Sequence, residues 1–113
     1  MQYEQRPVIE QGALTLSDWR VIEQPDGERH LVGYCLENNE GRVSSPVLDL
    51  EQKALRVTTS AGRLYLLSGA PGLNPDAMYV WDQWIKMYSI ESWSDVTDSV
   101  WDEHLALPFT VLP

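Results

Sequence analysis

Between residues 19 and 68 the chain is cut into short β-like runs by turn-forming clusters at intervals of about 8 to 12 residues, the spacing of a meander or small barrel. The runs are 19–24, 30–37, 42–50, 55–59 and 63–67. Pro25-Asp26-Gly27-Glu28 separates the first two, Asn38-Asn39-Glu40-Gly41 follows the second, and Ser60-Ala61-Gly62 joins the last two as a hairpin. Pro46 has no N–H to give a ladder, so it marks an edge strand or a bulge within the third run. Ser68-Gly69-Ala70-Pro71-Gly72 then ends the sheet, because two glycines and a proline in five residues cannot sustain pairing.

A helix over 75–88 follows. Asn74 is an N-cap, Pro75 suits the first helical position, and Asp76 meets the positive end of the dipole. Ala77, Val80, Trp81, Trp84, Ile85 and Tyr88 recur on one side, and Asp82 and Lys86 can pair at i, i+4 on the other. The pattern predicts an α+β fold: a five-stranded, mostly antiparallel curved sheet or small barrel (residues 19–68) with one amphipathic helix (75–88) packed on it.

At 113 residues the expectation is a single domain over 1–113. It divides into a lead-in arm (1–18), the β-meander (19–68), the helix (75–88) and an acidic, aromatic C-terminal segment (89–113). Residues 91–104 fit either a strand or a helix, and 105–113, bracketed by Pro108 and Pro113, reads as extended. Cys35 is the sole cysteine, so no internal disulfide is expected, and neither a signal peptide nor a long apolar span is visible. A cytoplasmic location is the expectation.

Groups with easy neutral-pH chemistry are sparse and dispersed at His30, Cys35 and His104. Five residues apart on a strand, His30 and Cys35 face opposite ways, and a free cysteine most often serves as a small buried hydrophobe. Asp98, Asp102, Glu103 and His104 lack the glycine-interrupted pattern of a calcium loop and the paired ligands of a zinc site. The 68–72 stretch lacks the residues of a phosphate loop. No catalytic residue, metal or cofactor is therefore expected.

Charge supplies the functional lead. The net charge of -9 falls mainly on the last third, where seven acids face one base, Lys86, and four of the five tryptophans cluster. Such a balance disfavours direct binding to nucleic acid or anionic membranes. Arg20, Arg29, Arg42, Arg56 and Arg63 are scattered among acids, with a basic strand face as their one route to a patch. If 91–104 is helical, Glu91, Asp95, Asp98 and Asp102 form a carboxylate stripe. With Trp93, Trp101 and Glu103, these residues make a candidate site for a protein partner with a basic surface; a homodimer is left open. The expected function is a non-enzymatic acidic binding module. The alternatives are a nucleic-acid mimic that occludes a DNA- or RNA-binding site, and a small enzyme of unknown reaction.

The block 62–72 (Gly62-Arg63-Leu64-Tyr65-Leu66-Leu67-Ser68-Gly69-Ala70-Pro71-Gly72), followed by Tyr79-Val80-Trp81 and Trp84, resembles a family of small uncharacterised proteobacterial proteins often found in prophage or mobile regions. The resemblance covers roughly residues 30–100. It implies a bacterial protein concerned with phage and host interplay, of inhibitor or immunity type, and carries no catalytic residue.

Overall fold

The computed structural model describes residues 12–107. Among them are seven strands: β1 (Leu14–Glu23), β2 (Arg29–Cys35), β3 (Glu40–Val43), β4 (Val47–Glu51), β5 (Arg56–Thr59), β6 (Leu64–Leu67) and β7 (Ser94–Asp95). Two helices, α1 (Pro75–Met87) and α2 (Thr97–Ala106), complete the α+β fold. The sheet runs β3-β2-β1-β6-β5-β4, with β7 added to β1, and all pairs are antiparallel except β1 with β6.

Chain length explains the curvature. β3 and β4 stand at opposite ends of the strand order, about 24 Å apart if the sheet were flat at the usual spacing. Only residues 44–46 join them, a reach of about 15 Å from Val43 to Val47. The sheet must curl to bring its ends together, and Ser44 N–H donating to the Leu31 carbonyl and Ser60 N–H to the Pro46 carbonyl hold the seam. β3 and β4 are not ladder partners, so the barrel-like sheet stays unclosed.

The curl creates two cores. Leu14, Leu16, Trp19, Val21, Leu31, Val57, Tyr65 and Leu67 fill the concave side, with Val100 and Trp101 of α2 packed against them. On the convex side Ile22, Val32 and Val43 meet Ala77, Val80 and Trp81 of α1. Helix α1 keeps its expected cap, with Ala77 N–H donating to Asn74 Oδ1 at 3.0 Å, and its Lys86–Asp82 pair at 3.2 Å. It lies so close on β3 that a Cβ at Gly41 would stand 2.4 Å from the Asp76 backbone.

Several expectations need correction. Residues 14–18 belong to the central strand rather than to a lead-in arm; residues 1–11 of that arm lie outside the described residues. An irregularity between Ser17 and Arg20, with Asp18 at φ 48°, shifts the inward positions from Leu14 and Leu16 to Trp19 and Val21. That extra residue hides the strand's period of two. The run 42–50 is two strands, broken at Ser44-Ser45-Pro46, and the return of β6 alongside β1 makes the connectivity more than a meander. Residues 91–104 yield both β7 and most of α2, so there is a second helix, and Leu105 and Ala106 extend it instead of opening an extended tail. Residues 108–113 lie outside the described residues.

Candidate functional site

The conditional stripe of four carboxylates does not form. Glu91 is exposed in the link after α1, and Asp95 is in β7, so both precede the helix on which Asp98 and Asp102 sit one turn apart. Asp95 is engaged within the fold. It pairs with Arg20 Nε at 2.9 Å and accepts the Thr97 backbone N–H at 2.9 Å as well as the Thr97 hydroxyl. Partial burial pushes its carboxyl pKa up, but Arg20 and Thr97 outweigh this and hold it below the usual value. Asp98, Asp102 and Glu103 are exposed on α2.

The two tryptophans of the predicted surface have different fates. Trp93 stays 39% exposed and meets Trp81 edge-on at 5.6 Å. Trp101 is half-buried, with its ring edge-on to Trp19 at 6.1 Å and stacked on His104 at 5.1 Å. His104 Nδ1 donates to the Gln52 carbonyl at 2.6 Å, which fixes the ring against the β4–β5 turn. Among the described residues no group of three or more His, Cys, Asp or Glu side chains is placed to hold a metal ion.

Sequence reasoning missed an aromatic chain that crosses the convex face. Trp93 touches Trp81, Trp81 lies 6.2 Å from His30, His30 lies 5.5 Å from Trp84, and Trp84 lies 4.7 Å from Tyr88. Its middle is buried, with Trp81 at 1% exposure, and its ends are open, with Tyr88 at 56%. His30 is held by Nδ1 donating to the Ser44 carbonyl at 2.8 Å, while Nε2 faces Gln24 at 3.1 Å and Glu28 at 3.4 Å. Three of the five rings share the helical period of α1; the link through His30 of β2 is tertiary.

A second group was also missed. Arg42 alternates on β3 with Gly41 and Val43, which face α1, so its side chain turns to the concave side, where Nε donates to the Tyr65 hydroxyl at 2.9 Å. Arg63 precedes β6 in the same register as Tyr65 and Leu67. The arginines therefore build no common strand face: Arg20 pairs with Asp95, Arg29 with Glu23, and Arg56 is exposed, while Arg42 and Arg63 are buried and line one cavity. Burial lowers the Arg42 pKa, but Tyr65, Cys35 and Glu40 outweigh it and leave it raised. Burial also holds the Tyr65 phenol above its usual pKa against the lowering effect of both guanidiniums. A charged residue in the inward register of a strand was the signal available in the sequence.

Cys35 lies in the concave core on the face opposite to His30, with its thiol 3.8 Å from Glu37 Oε1. Burial raises its pKa, which keeps it a thiol at neutral pH. Glu37 in turn accepts from both the backbone N–H and the hydroxyl of Thr15 at 2.7 Å. No described helix is long and apolar enough to cross a membrane. Compared with family models, curated proteins and solved structures, the chain matches none of them.

Proposed function

We propose that the protein is a non-enzymatic binding module that docks on the basic surface of a partner protein through its aromatic and acidic C-terminal third. The observation that carries this reading is the aromatic chain with a buried middle and open ends. Tyr88 and Trp93 are apolar anchors whose neighbours Trp84 and Trp81 are already packed, so little side-chain freedom is lost when a partner covers them. Glu91 lies between them in sequence, Asp98, Asp102 and Glu103 follow, and Lys86 is paired with Asp82. The balance selects a cationic counterpart, with the carboxylates speeding encounter and the rings slowing release. An inhibitor or immunity-type protein acting in the cytoplasm is the specific form of this proposal. The nucleic-acid mimic is less favoured, because Asp95 is committed to Arg20 and Thr97 and the row of charges is broken.

The test captures the partner from the native host and measures both rate constants. Tyr88→Ala with Trp93→Ala should raise the dissociation rate by an amount equivalent to about 2 kcal/mol or more. Glu91→Gln with Asp98→Asn and Asp102→Asn should lower the association rate and flatten its salt dependence. A partner displaced by duplex DNA or RNA from the same site would favour the mimic. Binding indifferent to both sets of substitutions would remove this surface as the interface.

A further inference from the structure

Two cavities adjoin where the β1–β2 turn meets the end of α1, one of about 440 Å³ and one of about 300 Å³. Gln24, Tyr88 and Ile90 line both, so the two make one elongated groove. Among the described residues its lining carries two carboxylates, Glu28 in the larger cavity and Glu91 in the smaller, and no lysine or arginine. Glu28 Oε2 stands 3.4 Å from His30 Nε2, and its side chain is 39% exposed, so this carboxylate keeps acceptor sites for a further donor. Glu91 is fully on the surface. Helix α1 ends at Tyr88, which brings the negative end of its dipole to the same place. The apolar part of the lining is held in position: Ile90 packs on the convex core, and the Tyr88 ring, though 56% exposed, is fixed by its contact within the aromatic chain.

Resting on the reading of the protein as an acidic binding module, we propose that this groove receives an extended, arginine-bearing segment of the partner protein. One guanidinium lies beside Glu28, a second near Glu91, and the aliphatic stems run along Ile90 and the Tyr88 ring. The partner thus contributes a loop or tail here, because a flat protein face would leave two cavities of this size unfilled. Arginine suits the lining better than lysine, since its planar head stacks on a tyrosine ring and meets a carboxylate through a fork of donors. Two carboxylates and a helix C-terminus, with no cation in the lining, repel an acidic segment or a phosphate backbone.

The experiment titrates the full chain with the capped peptide Arg-Leu-Arg and with its citrulline counterpart, which keeps the shape and loses both charges. NMR signals of the Tyr88 ring, the Ile90 methyl groups and the Gln24 side-chain amide report the groove. The arginine peptide should shift them saturably, and the citrulline peptide should bind at least about tenfold more weakly, the loss of a charge-assisted contact. Glu28→Gln should weaken the arginine peptide about fivefold. Asp49→Asn, the same loss of charge at an exposed position of β4, should leave it unchanged. No saturable shift, equal affinity for the two peptides, or an equal response to Glu28→Gln and Asp49→Asn would each overturn the groove as the site. Glu28→Gln is then measured on the captured partner, whose dissociation it should speed. A partner sensitive to the Tyr88 and Trp93 substitutions but not to Glu28→Gln would overturn the groove alone, whereas a partner indifferent to the rings and to the α2 acids would overturn the broader reading on which it rests.

Discussion

Helices α1 and α2 both come from the acidic, tryptophan-rich third of the chain, yet they are attached in opposite ways. Helix α1 docks along its length, burying Ala77, Val80 and Trp81 on the convex face, with a capped N-terminus and a close approach at Gly41. Helix α2 buries only Thr97 and Val100, and its N-cap residue, Val96, contributes no side-chain hydrogen bond. It hangs instead from polar contacts at its first turn: Thr97 Oγ1 accepts the buried Val21 N–H at 2.9 Å, and Asp95 joins Thr97 to Arg20. Apolar area secures one helix and a few directed bonds secure the other, so the first should fail with the whole fold and the second by itself.

The largest expected effect tests α1. Trp81→Ala should destabilise the protein by about 3–5 kcal/mol, as truncation of a fully buried aromatic does, and shift the denaturation midpoint for every probe together. Trp84, which is half-buried and borders two cavities, should cost less than Trp81 when truncated. A midpoint unchanged by Trp81→Ala would mean that α1 is held no more firmly than α2.

An intermediate effect tests the polar attachment of α2. Thr97→Val keeps the shape but leaves the Val21 N–H buried without its acceptor, at about 1–3 kcal/mol. Hydrogen exchange should show the loss concentrated in α2 and β7, with α1 protected as before. Uniform loss of protection would show the two helices to be one cooperative unit.

The smallest effect is the pH dependence of the Asp95 contacts. Because the folded carboxyl pKa is lowered, its contribution is fully present above the ordinary carboxylate value of about 3.9 and is lost as pH falls through the folded value. The pair is partly exposed, so its worth is below about 1 kcal/mol. Acidification should therefore loosen α2, read as a change in Trp101 emission, and Arg20→Met should move that transition to higher pH. An unmoved transition would assign the acid sensitivity to another carboxylate.

Much of the fold was legible because its signals are local. The β5–β6 hairpin shows in Ser60-Ala61-Gly62, and α1 shows in Asn74-Pro75-Asp76 and its apolar period; both stand within a residue or two of expectation. The first half of β1 was illegible for an equally local reason, an extra residue at Asp18 that breaks the alternation. Of the candidate surface residues, Trp93 and the α2 acids could be seen as exposed from their polar neighbours. The engagement of Asp95 could not, since its partner Arg20 is distant in sequence.

Composition, turn chemistry and helical period by themselves determined an acidic α+β chain with a β-rich first part and a capped amphipathic helix. Only the tertiary structure decided that Leu14, Thr15 and Leu16 pair in parallel with Tyr65, Leu66 and Leu67, that a three-residue seam bends the sheet into an unclosed barrel, and that Arg42 and Arg63 share a cavity with Trp84. The physical reason is range. Caps, turns and periods act across a few residues and leave a mark there, whereas strand pairing and ring contacts between distant segments are chosen by how the whole sheet can bury its two faces.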